Sequence, residues 1–115
     1  PREFQEKIAE YGNCVRNLFG NRFYCVNFLI NITPLCDCET NPGEKIAPDI
    51  GVLFSKDPVA IDRACVDMIA QTATGAIGKG IEKFSHIRPG NYPYFQLDYA
   101  EKIGLGTNNY ELITL

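Results

Sequence analysis

Phe23-Tyr24-Cys25-Val26-Asn27-Phe28-Leu29-Ile30-Asn31-Ile32 is apolar except at Asn27 and Asn31, and its reading decides the fold. Aromatic and β-branched residues dominate it, and near-continuous apolarity marks a strand covered on both faces. The two asparagines share one face. A buried amide there must find hydrogen-bond partners or carry a penalty.

Upstream, Phe4, Ile8, Tyr11, Val15, Leu18 and Phe19 recur at three- and four-residue steps, the stripe of an amphipathic helix. Glu3 and Glu6 suit its first turn, and Gly20 is a left-handed stop. Downstream, residues 33–48 hold Pro34, Asn41-Pro42-Gly43 and Pro48 with no helical period. A loop of that length is usually functional or disordered. Residues 50–54 read as a second short strand. Asp57-Pro58 then opens a helix, with aspartate as N-cap and proline at the first helical position, where its missing N–H costs nothing. Ala60, Ile61, Ala64, Cys65, Met68 and Ile69 form its buried stripe.

Residues 72–80 are glycine-rich and read as a mobile link. Gly75, Gly78 and Gly80 follow no strand, which argues against a phosphate loop. Residues 94–103 carry one helical face closed by Gly104, and residues 110–115 alternate as a last strand. The expected fold is a layered α/β arrangement, a small mixed or parallel sheet with helices packed on it.

At 115 residues the chain has room for one domain, residues 1–115, burying roughly 65% of its unfolded surface. A net charge of -3 argues against a nucleic-acid binder, which needs a basic footprint. No apolar run approaches the roughly 20 residues that span a bilayer. Five cysteines in no framework spacing, with no export signal, read as reduced thiols in a cytoplasmic chain. The start at Pro1, without methionine, reads as the carboxyl-terminal domain or a fragment of a longer protein. Cys14, Cys25 and Cys65 fall in segments expected to pack, where cysteine behaves as a small hydrophobe.

Two motifs carry the chemistry. In Cys36-Asp37-Cys38 the thiols stand two residues apart, and on an extended segment they point to one side. Three readings stay open: a free thiol pair, contact with a soft metal or cluster, and redox or nucleophilic chemistry. Two thiolates alone complete neither a zinc site nor a four-iron cluster. Asp37 and Asp49 are the nearest further ligands. The second motif is Ser55, Asp57 and Asp62 around the helix start. Capping accounts for Asp57 alone. Each motif directly follows a strand, and ligands gather beyond the carboxyl ends of parallel strands. The sixteen or so connecting residues meet the minimum for a parallel crossover, so both motifs are expected to border one cleft. His86, the lone histidine, lacks ligand-spaced neighbours and reads as a surface residue. No residue is assigned a catalytic role.

The run Asn31-Ile32-x-Pro34-x-Cys36-Asp37-Cys38 resembles the carboxyl-terminal part of the DUF362 family, proteins often labelled iron–sulfur centre proteins. So does Ile46-x-Pro48-Asp49-Ile50-Gly51-x-Leu53-x-Ser55-x-Asp57-Pro58-Val59-Ala60-Ile61-Asp62. The opening from Phe4 to Tyr11 and the closing Gln96-Leu97-x-Tyr99-Ala100-Glu101-x-Ile103-Gly104-Leu105-Gly106-x-x-x-Tyr110-Glu111-Leu112-Ile113 are similar to the same family. The resemblance implies a longer protein with a ferredoxin-like module, in cis or trans, and electron transfer as its setting. It implies iron–sulfur clusters in the longer members. This chain lacks the Cys-x-x-Cys-x-x-Cys run and is expected to hold no intact cluster alone. Cys36 and Cys38 are the candidate metal ligands, and Asp37, Asp49, Ser55, Asp57 and Asp62 the candidate substrate or ligand contacts. The alternative is a non-catalytic scaffold that packs against the ferredoxin module.

Overall fold

In a computed structural model, which describes residues 2–74 and 77–115, the elements run α1 (Arg2–Phe19), β1 (Cys25–Leu29), β2 (Gly51–Ser55), α2 (Pro58–Ala70), α3 (Lys83–Ile87) and α4 (Pro93–Lys102). Helices pack on a small sheet, as expected of the layered α/β class. α2 lies at the centre. Val59 joins Ala9, Leu97, Ala100 and Leu105 on one side, and Ile61, Cys65 and Ile69 join Leu29 and Ala47 on the other. A helix buried on two sides must be apolar around most of its girth, and the sequence of α2 is.

β1 and β2 are antiparallel, with Cys25 opposite Ser55 and Leu29 opposite Gly51. This overturns the expected parallel crossover. A long connection is necessary for parallel strands but does not forbid antiparallel ones. Here the loop prolongs the pairing past the strands: Ile50 N–H donates to the Leu29 carbonyl at 2.8 Å and Ile46 N–H to the Ile32 carbonyl at 2.9 Å. Leu35 N–H reaches the Pro42 carbonyl at 3.1 Å. Asn31 takes a positive φ of 51° and ends the strand.

The strand is also covered on one face only. Leu29 turns inward to α2, whereas Val26, Phe28 and, across the ladder, Val52 and Phe54 stay exposed. Period-two alternation of burial replaces the two-sided cover expected from the apolar run. α1 behaves alike. Gln5 and Ala9 are its buried residues, while Phe4, Tyr11 and Leu18 of the predicted core stripe are 64%, 74% and 80% exposed. Its inner face holds α4 through polar bonds: Gln5 Nε2 donates to Asn91 Oδ1 and to the Tyr92 carbonyl, both at 3.1 Å, and the Tyr99 hydroxyl donates to Glu10 at 2.8 Å. Cys14, expected to pack, is exposed.

Of the glycine-rich stretch, residues 75–76 lie outside the described residues; Thr74 and Ile77 beside them form an isolated antiparallel bridge. Residues 110–115, expected as a last strand, join no ladder. They border a trough of about 630 Å³ that β2 and α2 line opposite them. Among the described residues no helix is long and apolar enough to cross a membrane.

Candidate functional site

Cys36, Asp37 and Cys38 occupy a tight turn rather than an extended segment. Glu39 N–H donates to the Cys36 carbonyl at 2.9 Å, the bond that closes a β-turn. The turn is held at its base by the Leu35–Pro42 bond, by Thr33 Oγ1 donating to the Leu35 carbonyl, and by Gly43 packed against the Pro34 ring. Both thiols are exposed. The neighbouring Cys38 thiol lowers the Cys36 pKa against the opposing charges of Asp37 and Glu39, and Cys36 raises that of Cys38.

Ser55, Asp57 and Asp62 stand elsewhere. Because the strands are antiparallel, the end of β1 that leads to the thiols meets the start of β2, and Ser55 lies at the opposite end beside Cys25. The expectation of one shared cleft is thereby corrected. Around the helix start, each oxygen has work within the chain. Ser55 Oγ accepts from Asp57 N–H at 2.9 Å. Asp57 Oδ1 accepts from Val59 and Ala60 N–H, both at 2.9 Å, and its Oδ2 accepts from Thr107 N–H at 3.0 Å.

Asp49 clips the Cys-Asp-Cys loop to the strand end. Its Oδ1 accepts from Asn31 N–H at 2.8 Å and from Lys45 Nζ at 3.0 Å, and the Asn31 bond, then the Lys45 bond, hold its carboxyl below the usual range. Asp62 accepts from Asn27 Nδ2 at 2.7 Å, and the same amide reaches Cys65 Sγ at 3.3 Å, so the strand amide has its partners. Desolvation pushes the Asp62 carboxyl above its ordinary range, against the pull of the Asn27 bond. Burial also raises the thiols of Cys25 and Cys65, which flank this pair.

Among the described residues, no three His, Cys, Asp or Glu side chains gather as a metal-ligand set. Two thiolates with no third ligand do not fit a four-iron cluster or a structural zinc. His86 is exposed on α3, as a surface residue should be.

One polar constellation escaped the sequence reading. Asp67 accepts the hydroxyls of Tyr94 and Tyr110, each at 3.0 Å, and pairs with Arg63, whose guanidinium lies 4.5 Å over the Tyr94 ring. Burial first, and the bond to Asp67 second, push the Tyr94 hydroxyl up to about 12. Asp67, Tyr94 and Tyr110 edge a cavity of about 680 Å³ shared with Gln71, Thr72 and Glu82. Nearby, Lys83 is fully buried with Nζ 2.5 Å from the Thr72 carbonyl, and burial depresses its pKa. Asp67 sits on the polar side of the α2 pattern, and nothing in sequence spacing ties it to tyrosines 27 and 43 residues away.

Comparison with curated proteins and with solved structures finds no match. The family model described as "Domain of unknown function (DUF362)" matches residues 1–67. The match takes in the thiol turn, Asp49, Ser55, Asp57 and Asp62, and ends before the similarity noted over Gln96–Ile113. With more than half of its length under that model, the chain belongs to the DUF362 family.

Proposed function

We propose that the chain is an interaction domain of a DUF362 protein, which docks the outer face of the β1–β2 sheet on a ferredoxin-like module. The observation that carries this reading is the sheet's own asymmetry. Its inner face packs on α2, while Val26, Phe28, Val52 and Phe54 on the outer face are 51–66% exposed. Tyr24 adds a fifth large side chain, its ring stacked 5.7 Å from that of Phe54. Aromatic side chains bury roughly 150–250 Å² each. A patch of this make-up reaches the few hundred Å² at which an exposed apolar face on a monomer marks an interaction site. The outward apolar stripe of α1 points the same way.

The candidate carboxylates support the reading from the other side. Asp49, Asp57 and Asp62 are each engaged in bonds that hold the fold. The test is calorimetric titration of the chain with the ferredoxin-like module of a family member, at several temperatures. Binding with a negative heat-capacity change, weakened at least about tenfold by Phe28→Ser with Phe54→Ser, is the expected result. No binding, or binding indifferent to that double substitution, would overturn the proposal.

A further inference from the structure

We propose that Cys36 and Cys38 form a dithiol–disulfide exchange site whose substrate is a low-molecular-weight disulfide. Three observations converge on this turn. Both thiols are exposed, so a small disulfide reaches them directly. They stand two residues apart on one tight turn, which the Glu39 N–H to Cys36 carbonyl bond closes. The turn's backbone is fixed independently of the thiols, by the Cys36–Glu39 and Leu35–Pro42 bonds. Two trans peptide steps of about 3.8 Å, folded in a turn, leave the Cα atoms within the roughly 4.4–6.8 Å that disulfides span. Closure therefore asks for side-chain rotation, not for remodelling of the loop.

The donor set separates this chemistry from metal binding. Structural zinc and four-iron clusters each recruit four ligands, and among the described residues no third joins the pair. Exchange needs two thiols and nothing else. Cys14, Cys25 and Cys65 do not compete for this role: Cys65 is buried, Cys25 is half-buried on the sheet, and Cys14 lies on α1.

The reaction balances without a further co-reactant. Cys36 loses its proton to solvent, and its sulfur attacks one sulfur of RSSR. That S–S bond breaks, and the departing RS⁻ takes up a proton, leaving a mixed disulfide on Cys36. Cys38 then loses its proton, and its sulfur attacks the Cys36 sulfur. The second RS⁻ leaves with the electron pair and is protonated. Two cysteine thiols are oxidised and one RSSR is reduced to two RSH. A disulfide across so short a ring is exposed and strained, the kind that a thiol reverses.

The test uses the full chain in buffers of reduced and oxidised glutathione, quenched with acid and read by mass spectrometry. In the Cys25→Ser background the expected product has lost two hydrogens, and cleavage after Arg22 and before Asp37 leaves residues 23–36 joined to the fragment that begins at Asp37 until reduction. Cys38→Ser, an exposed substitution that leaves the turn's backbone bonds in place, should accumulate the glutathione adduct at least about tenfold over the parent. The missing neighbour acts at an effective concentration on the order of millimolar or more. Persistent adducts on the parent, linkage through Cys14 or Cys65, or no oxidation of the pair would each overturn the proposal.

Discussion

Asp57 and Thr107 are fifty residues apart, yet the Asp57 carboxylate joins them with Oδ2 on Thr107 N–H while Oδ1 holds the first turn of α2. One side chain thus starts the central helix and fastens the chain that follows α4. Capping alone predicts that Asp57→Ala costs roughly 0.5–2 kcal/mol. The second tie places the cost at or above the upper part of that range. Asp57→Asn keeps one acceptor but turns an amide donor toward the Thr107 N–H or the helix start, so it falls between parent and alanine. Urea unfolding of the three proteins checks the order; an asparagine variant equal to the parent would remove Thr107 from the account.

Gly106 is the neighbour that makes this tie possible. A Cβ there would collide with Asp57 Oδ1 and lie 2.7 Å from its Cγ, and Oδ1 is held by two helix N–H groups. The carboxylate has no easy retreat. Gly106→Ala is expected to destabilise by about 1–3 kcal/mol, the range of overpacking, and to lose most of that effect in an Asp57→Ala background. A double-mutant cycle by denaturant unfolding measures the coupling.

Asp62 should give the fold a pH signature. Its native pKa lies above its ordinary 3.8, so the unfolded chain ionises first as pH rises. The resulting penalty is absent below about 3.8, grows through the raised native value and is complete above it. Asp62→Asn keeps an oxygen for the Asn27 amide and removes the charge. It is expected to be neutral or slightly stabilising at pH 7, with the difference vanishing in acid. Unfolding midpoints of both proteins across that range decide the matter, and a loss of stability at pH 7 would show that the charge is needed.

Tyr94 acts at the alkaline end. Its hydroxyl is pushed from an ordinary 10.0 to about 12, so the unfolded chain releases this proton first and stability falls as pH rises between those values. Ultraviolet titration of the folded protein should show a late-ionising tyrosine that Tyr94→Phe removes. The substitution is expected to cost about 1 kcal/mol at neutral pH, since it frees one bond to Asp67. It should also flatten the alkaline decline.

Metal content offers a further check. With two paired thiols and no third ligand among the described residues, the chain should take up at most one soft metal weakly. Anaerobic reconstitution followed by iron analysis and a visible spectrum tests this; about four irons per chain with a stable brown chromophore would contradict it.

Local chemistry determined a large part of this protein from sequence alone. Asp57-Pro58 starts α2 where an aspartate cap and a proline at the first helical position must, and Gly20 and Gly104 end their helices with φ of 56° and 83°. The buried stripe of α2 and the two strands lie where apolar patterning put them. These features depend on residues within a turn or two of one another. α3 escaped notice because it is short and owes its start to Glu82, which accepts from Phe84 and Ser85 N–H. Strand direction, the exposed face of the sheet and the outward stripe of α1 were decided by the tertiary structure. An apolar residue reports that burial is favourable, not which surface supplies it, and a sixteen-residue connection closes in either sense once its ends pair. The same reason separates the two motifs: Cys36 to Cys38 and Ser55 to Asp57 each follow a strand, but antiparallel pairing sends successive strand ends to opposite edges.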